Sequence, residues 1–359
     1  MKLELLKKKI NKKKIFITGN TGFVGSWLSI MLTFFGAKIL GFSLKKKDKK
    51  FISNHVQFKK NIQTIYSDIN LIDKYKKRIK RFNPQIVIHL ASQPLVLESY
   101  KDTKKTFLTN IMGTVNLFET LKEIKSIKKI IIFTSDKVYR NLNGKILNEN
   151  SSLGGLDPYS SSKSCQDIIS TTYKSSIYQK KIEIIILRAG NIIGGGDWNK
   201  YRIIPDIFRC LYSNKKIHIR NPNAIRPWQH IFDILNFFIL AISKKTKKTN
   251  KPEIFNIAPN LKSNIKVIKL ISLIKKIGNY KKFKIIVTKK PQYESSILRL
   301  SSLSAKRKIN YKPKLNLENT IKLTIDWYDT YYKKKDVYNY SLIENLYPIN
   351  IILFYICQI

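Results

Sequence analysis

Cysteine is scarce in this chain of 359 residues, and acid is far scarcer than base. The three cysteines, Cys165, Cys210 and Cys357, are odd in number and far apart. That excludes a disulfide framework and any zinc-like spacing, so a reducing cytoplasm is the expected setting and no metal is expected. No run of eighteen apolar residues occurs, so no membrane span is expected. The opening "MKLELLKKKINKKK" carries charge but no apolar stretch, which is not the pattern of a secretory signal. The closing "YPINIILFYICQI" is apolar but too short to cross a bilayer, and residues 341–359 form a tail of unassigned role.

Acidic residues number 23 against 68 basic ones, a net charge of +45. Such basicity suits nucleic acid or an acidic surface as partner. Yet only ten of the 68 are arginines, and the lysines are spread over most of the chain, with local runs such as "KKKDKK". Isoleucine and asparagine are abundant too, as in proteins from AT-rich genomes. The lysines therefore read as composition and solvated faces, and no specific nucleic-acid partner is expected. The arginines are the better markers, and six of the ten fall between Arg140 and Arg226.

What is present is an alternation. Short apolar runs, "KIFITG", "KILGFSL", "IQTIYSDI", "QIVIHLAS", "KKIIIFTSD" and "IEIIILRAG", are mostly separated by stretches of helical spacing such as "TKKTFLTNIMGTVNLFETLKEI". Strands alternating with helices imply right-handed crossovers and a parallel sheet, and near-continuous apolar strands imply a sheet covered on both faces. The expected fold is α/β: a doubly wound parallel sheet of Rossmann type with a smaller C-terminal α/β substrate lobe. Residues 12–190 make the dinucleotide-binding domain, with 225–258 returning to it, because "EIFNIA" reads as one more strand. Residues 191–224 and 259–340 make the lobe.

The first strand ends in "TGNTGFVGSWL", with glycines at 19, 22 and 25. A glycine-rich turn between strand and helix lets backbone N–H groups and the helix dipole receive a pyrophosphate. Gly19, Thr21, Gly22, Phe23 and Gly25 are the expected cofactor contacts, with Leu90 and Ala91 at the end of the fourth strand. The second strand should end in an acid that holds the adenosine ribose, but it runs "GFSLKKKDKK". NAD and NADP stay open at this point. Asp68 meets the adenine edge or caps the turn before "NLIDKY".

"PYSSSKSCQDIISTTY" places Tyr159 and Lys163 four residues apart at a helix start, on one face. A lysine ammonium beside a tyrosine favours the phenolate, moving a pKa of roughly 10 toward neutrality. Lysine is so common here that the spacing recurs by chance. Position decides, because the pair follows the fifth strand, whose end supplies Ser135.

Together "GNTGFVG", "HLASQPLV", "TSDK", "YSSSK", "RAGNIIGGGDW" and "IRNPNAIRPWQH" resemble the extended short-chain dehydrogenase/reductase superfamily. Within it they are similar to sugar-nucleotide 4,6-dehydratases of the CDP-glucose type, over about residues 12 to 335. The resemblance implies NAD as cofactor and CDP-glucose as substrate, in deoxysugar synthesis for surface polysaccharide. It implies that Ser135, Tyr159 and Lys163 serve oxidation at sugar C4. Asp136 then acts as acid to the C6 hydroxyl and Lys137 as base at C5. Members acting on dTDP-glucose carry Asp–Glu where this chain has Asp136–Lys137. Gln93, Asn191, Arg202, Arg220, Arg226, Trp228 and His230 are the expected substrate contacts, the arginines because guanidinium suits a pyrophosphate. A homodimer or homotetramer is implied. Competing readings are a 4-epimerase, a dehydratase for another nucleotide, and a non-catalytic dinucleotide-binding regulator.

Overall fold

The computed structural model describes residues 3–46, 48, 50–54, 61–140, 144–244, 249–281, 284–288 and 297–333. The tail 341–359 lies outside the described residues. Seven strands make the main sheet: β1 (Lys14–Thr18), β2 (Lys38–Ser43), β3 (Ile62–Tyr66), β4 (Ile86–His89), β5 (Lys129–Phe133), β6 (Glu183–Ala189) and β7 (Glu253–Ile257). Their order is β7-β6-β5-β4-β1-β2-β3, with every pair parallel. The order reverses between β1 and β4, so a crevice opens outside the carboxyl ends of those strands.

Strand periodicity divides the core between two layers. Ile15, Ile17 and Ile131 belong to one apolar cluster, while Phe16, Ile130 and Ile132 belong to the other. Helices α1 (Phe23–Phe34) and α5 (Ile231–Ser243) cover the first face, where Trp27 meets Phe232 edge-to-face at 5.6 Å. Helix α2 (Gly113–Leu121) covers the second face through Leu117, Phe118 and Leu121. Helix α3 (Pro158–Thr172) follows β5. The isoleucine-rich strands form because β-branched side chains pack well on a pleated surface buried on both sides.

Beyond β6 lie α4 (Ile203–Tyr212), α6 (Val267–Ile277) and α7 (Leu317–Tyr332). Three short strand pairs tie this region together: Ile217–Ile219 with Ile285–Val287, Ile225–Pro227 with Asn264–Lys266, and Ile192–Ile193 with Gln229–His230. The indole of Trp27 donates to the carbonyl of Gly195 at 2.9 Å, fastening the "GGGDW" loop to α1. No helix among the described residues is long and apolar enough to cross a membrane.

Candidate active site

A cleft of about 990 Å³ runs along the carboxyl ends of the central strands and is closed on the far side by residues 191–228. Of the expected residues, it is lined by Gly19, Gly22, Phe23, Gly25, Asp68, Leu90, Ala91, Ser135, Asp136, Lys137, Tyr159, Lys163, Asn191, Arg202, Arg220, Arg226 and Trp228. Three others do not line it. The Thr21 hydroxyl bonds Ser43 Oγ at 2.6 Å and the Leu44 carbonyl at 3.0 Å, locking the glycine turn to the end of β2. The Gln93 amide donates to the Leu95 carbonyl at 3.0 Å and Thr106 Oγ1 at 2.9 Å, and accepts from Leu95 N at 2.5 Å. It is consumed in shaping its own turn. His230 accepts from Phe232 N at 3.3 Å, which caps α5, and burial pulls its pKa down to about 3. Burial keeps it a neutral packed imidazole, and the side chains of Thr21, Gln93 and His230 stand behind the cleft wall rather than on it, each held by the bonds just described.

The cofactor end is built from backbone. Gly19 has φ +74, and a Cβ there would fall 2.7 Å from Ala91 N. A Cβ on Gly25 would fall 2.1 Å from the Gly19 carbonyl. Gly22 caps α1 without any side-chain acceptor, so the leading N–H groups of a twelve-residue helix face the cleft. Unfilled N–H donors and the positive end of the dipole suit a pyrophosphate, and a dinucleotide fits this cradle. Asp68 both lines the cleft and caps a 3₁₀ turn by accepting from Asn70 N at 2.9 Å. Lys46, in the lysine run read as solvated, is half-buried in the cleft wall. Burial lowers its pKa against the opposing charge of Asp197.

The chemical end is positioned by α3 and by the turn after β5. Asp157 caps α3 by accepting from Ser160 N at 2.9 Å, with Pro158 in the first turn. Tyr159 and Lys163 consequently share a buried face. Burial pushes the Tyr159 phenol up to about 12, opposed by hydrogen bonding with Ser135 and the charge of Arg202. The Lys163 ammonium donates to Gln166 Oε1 at 2.9 Å and the Phe133 carbonyl at 3.3 Å, and burial lowers its pKa to about 7. Burial acts most strongly on both groups, and Lys163 Nζ is held by acceptors other than the Tyr159 hydroxyl.

Asp136 is buried, and Ser135 Oγ donates to its Oδ1 at 3.0 Å. Its Oδ2 has no hydrogen-bond partner among the described residues. Burial raises the Asp136 pKa, against the charges of Lys137 and Arg226 and the Ser135 bond. A buried carboxyl that prefers its proton can give one away. Half-buried Lys137 stands beside it in the cleft.

Cations gather on the opposite wall. Arg202 pairs with Asp197 at 3.1 Å, Arg220 donates to the Tyr201 carbonyl at 3.4 Å, and buried Arg226 donates to the Ile225 carbonyl at 3.0 Å. The Trp228 indole donates to the Ile265 carbonyl at 3.2 Å. Sequence reasoning missed Lys46, Asp197 and Tyr201 as cleft residues. Asp197 stood inside the quoted "GGGDW", whereas Tyr201, at φ +63 with its hydroxyl accepting from Lys101 Nζ at 3.1 Å, left no sequence signal.

The cradle, the Ser–Tyr–Lys group and the cation-lined wall together define a dinucleotide-dependent enzyme of the short-chain dehydrogenase/reductase type that acts on an anionic sugar. Residues 16–324 match the family described as GDP-mannose 4,6 dehydratase, and the chain belongs to that family. It is 34% identical over 335 residues to the CDP-glucose 4,6-dehydratase of Salmonella typhimurium, covering 90% of this chain and 93% of that one. It is 32% identical over 290 residues to the dTDP-D-glucose 4,6-dehydratase of Dictyostelium discoideum, covering 72% of this chain and 61% of the other. The fold is shared with the dTDP-glucose 4,6-dehydratase of Bacillus anthracis solved with NAD, at TM-score 0.75 and 21% identity, covering 92% of this chain and 99% of that one.

Proposed function

We propose that the protein converts CDP-glucose to CDP-4-keto-6-deoxyglucose with bound NAD. The observation that carries this reading is the Asp136–Lys137 pair beside Ser135 in the cleft, one member of it buried with a raised pKa. An epimerase acting only at C4 has no use for a second acid and base. The choice of nucleotide is supported by the similarity to the Salmonella protein.

Gly19, Gly22, Phe23 and Gly25, with Leu90 and Ala91, hold NAD, which supplies a hydride acceptor for C4 and a hydride donor for C6. Tyr159 takes the proton of the C4 hydroxyl as a phenolate, with Lys163 one helical turn on. Burial opposes that form, while the Ser135 hydrogen bond, the Arg202 charge and the positive nicotinamide that bound NAD would bring favour it. The C4 ketone acidifies the C5 proton, and Lys137 removes it. Asp136 protonates the C6 hydroxyl, which leaves as water. A proton delivered back to C5 completes a cycle that is redox-neutral, balanced as substrate to product plus water. Arg202, Arg220 and Arg226 receive the pyrophosphate, and Asn191 and Trp228 meet the sugar or the nucleoside.

The reading carries a cytoplasmic setting and a homodimer or homotetramer. Exposed Phe107, Leu108, Met112 and Ile168, on helical segments of the first domain, support self-association. It also carries the division into a cofactor domain of residues 12–190, rejoined by 225–258, and a substrate lobe. Incubation with a panel of nucleotide-glucoses tests it. Alkali-induced keto-sugar absorbance is expected with CDP-glucose, and its absence there, or its appearance only with another nucleotide, would sink the assignment.

A further inference from the structure

Beneath the cleft lies a buried ion pair that the chemistry just described does not use. Arg188 on β6 donates from Nε and Nη2 to the two carboxylate oxygens of Asp167 on α3, at 2.8 Å each. Both side chains are almost wholly buried, at 2% and 1% exposed. Burying such a pair costs desolvation that its attraction scarcely offsets, so its presence calls for a reason other than stability.

Its remaining bonds supply one. Arg188 Nη1 donates to the Tyr139 hydroxyl at 2.8 Å, and the guanidinium lies 4.9 Å from the centre of that ring. The hydroxyl in turn donates to Asn256 Oδ1 on β7 at 2.6 Å. On the other side of the pair, Thr134 Oγ1 lies 3.4 Å from Asp167 Oδ2, while its proton has a nearer acceptor in the Leu187 carbonyl at 3.1 Å. Thr134 and Tyr139 immediately flank the segment Ser135–Asp136–Lys137–Val138. Asp167 sits one turn beyond Lys163 on the helix that carries Tyr159, and between them Ser164 Oγ donates to the Val138 carbonyl at 2.8 Å. The ion pair thus holds the far end of the turn bearing Asp136 and Lys137 through Tyr139, and the Ser164–Val138 bond ties that turn to the helix bearing Tyr159 and Lys163. Burial pushes the Tyr139 phenol up to about 12, so it stays a neutral hydroxyl able to accept from one partner and donate to the other.

We infer that Arg188, Asp167 and Tyr139 are positioning residues that hold the Asp136–Lys137 turn in register with the Tyr159–Lys163 helix, so that elimination acts on the sugar that oxidation has just prepared. The inference rests on the proposed roles of Asp136 and Lys137. Tyr139 is the informative handle, because removing its hydroxyl frees one end of the turn and leaves the ion pair and the helix in place.

The test is rapid quench of each variant with CDP-glucose, followed by mass analysis of the sugar nucleotide. For Tyr139→Phe the 4-keto species that still carries its C6 oxygen should accumulate, with product formation slowed about 10- to 100-fold, the loss typical of a small misplacement of reacting groups. The affinity for CDP-glucose should change by no more than about 3-fold, since no binding contact is removed. Asn256→Ser, which removes the acceptor instead, should behave alike and serves if the first variant folds poorly. A purely structural role would slow both half-reactions together and leave no intermediate. If Asp136→Asn accumulates the intermediate and neither Tyr139→Phe nor Asn256→Ser does, the positioning role is overturned. If none of the three accumulates it, the assignment of Asp136 itself fails.

Discussion

Replacing Asp136 by asparagine separates the two halves of the proposed reaction. Asparagine keeps the size of the side chain and an oxygen able to accept from Ser135 Oγ, which lies 3.0 Å from Oδ1 in the wild type. What it loses is a transferable proton that burial helps the carboxyl to keep, since its pKa is raised. Loss of a placed acid costs ~10²–10⁴-fold in rate, a barrier increase of about 3–5 kcal/mol. The fold should not suffer, because a buried charge that is costly to form is replaced by a neutral group. Thermal melting should therefore be unchanged or slightly higher. In a quenched single turnover with CDP-glucose, a species lighter than substrate by two hydrogens should build up. In the wild type, the species lighter by one water should dominate. Lys137→Met, which keeps length but cannot take the C5 proton, should give the same result. In the wild type, activity should fall on the alkaline side as Asp136 loses its proton, since its pKa is raised from the ordinary carboxyl range. Normal product formation by both variants would reduce "SDK" to a strand end with a passing lysine, and the dehydratase mechanism would lose its support.

Other expectations follow from the same geometry. Tyr159→Phe should abolish turnover while calorimetric affinity for CDP-glucose stays within a few-fold, and near-normal activity would remove Tyr159 from the mechanism. Gly25→Ala should abolish dinucleotide binding, measured by fluorescence titration, because the new Cβ would meet the Gly19 carbonyl at 2.1 Å; unaltered affinity would show the turn yields freely. Asp233, buried at the start of α5, accepts from Lys314 N at 2.7 Å, and burial raises its pKa to about 7. A carboxyl raised in the folded state contributes stability that is fully present below its unfolded pKa and is lost as pH rises through the folded one. Asp233→Asn should therefore gain about 2–3 kcal/mol on the wild type between roughly pH 5 and pH 8, read from urea midpoints. A difference that does not vary with pH would show that Asp233 ionises normally.

Local pattern sufficed for the architecture. Runs such as "KKIIIFTSD" could only be strands buried on both faces, their alternation with helices allowed only a parallel sheet, and the glycines of "TGNTGFVG" needed only their neighbours to form the cradle. The Tyr159–Lys163 spacing and the Ser135–Asp136–Lys137 triplet were equally local, and all five side chains do meet in one cleft. Protonation was decided by the tertiary structure, because it depends on desolvation, which no spacing reports. The sequence suggested a lysine that lowers its tyrosine; burial works against that by pushing Tyr159 up to about 12, and Lys163 Nζ is held by Gln166. Tertiary structure also turned Gln93 and His230 inward to complete a turn and a helix cap, and drew Lys46 out of a charge run into the cleft. The Arg188–Asp167 pair joins residues on different elements across the sheet. Its hold on the turn exists only once β6, α3 and β7 have come together.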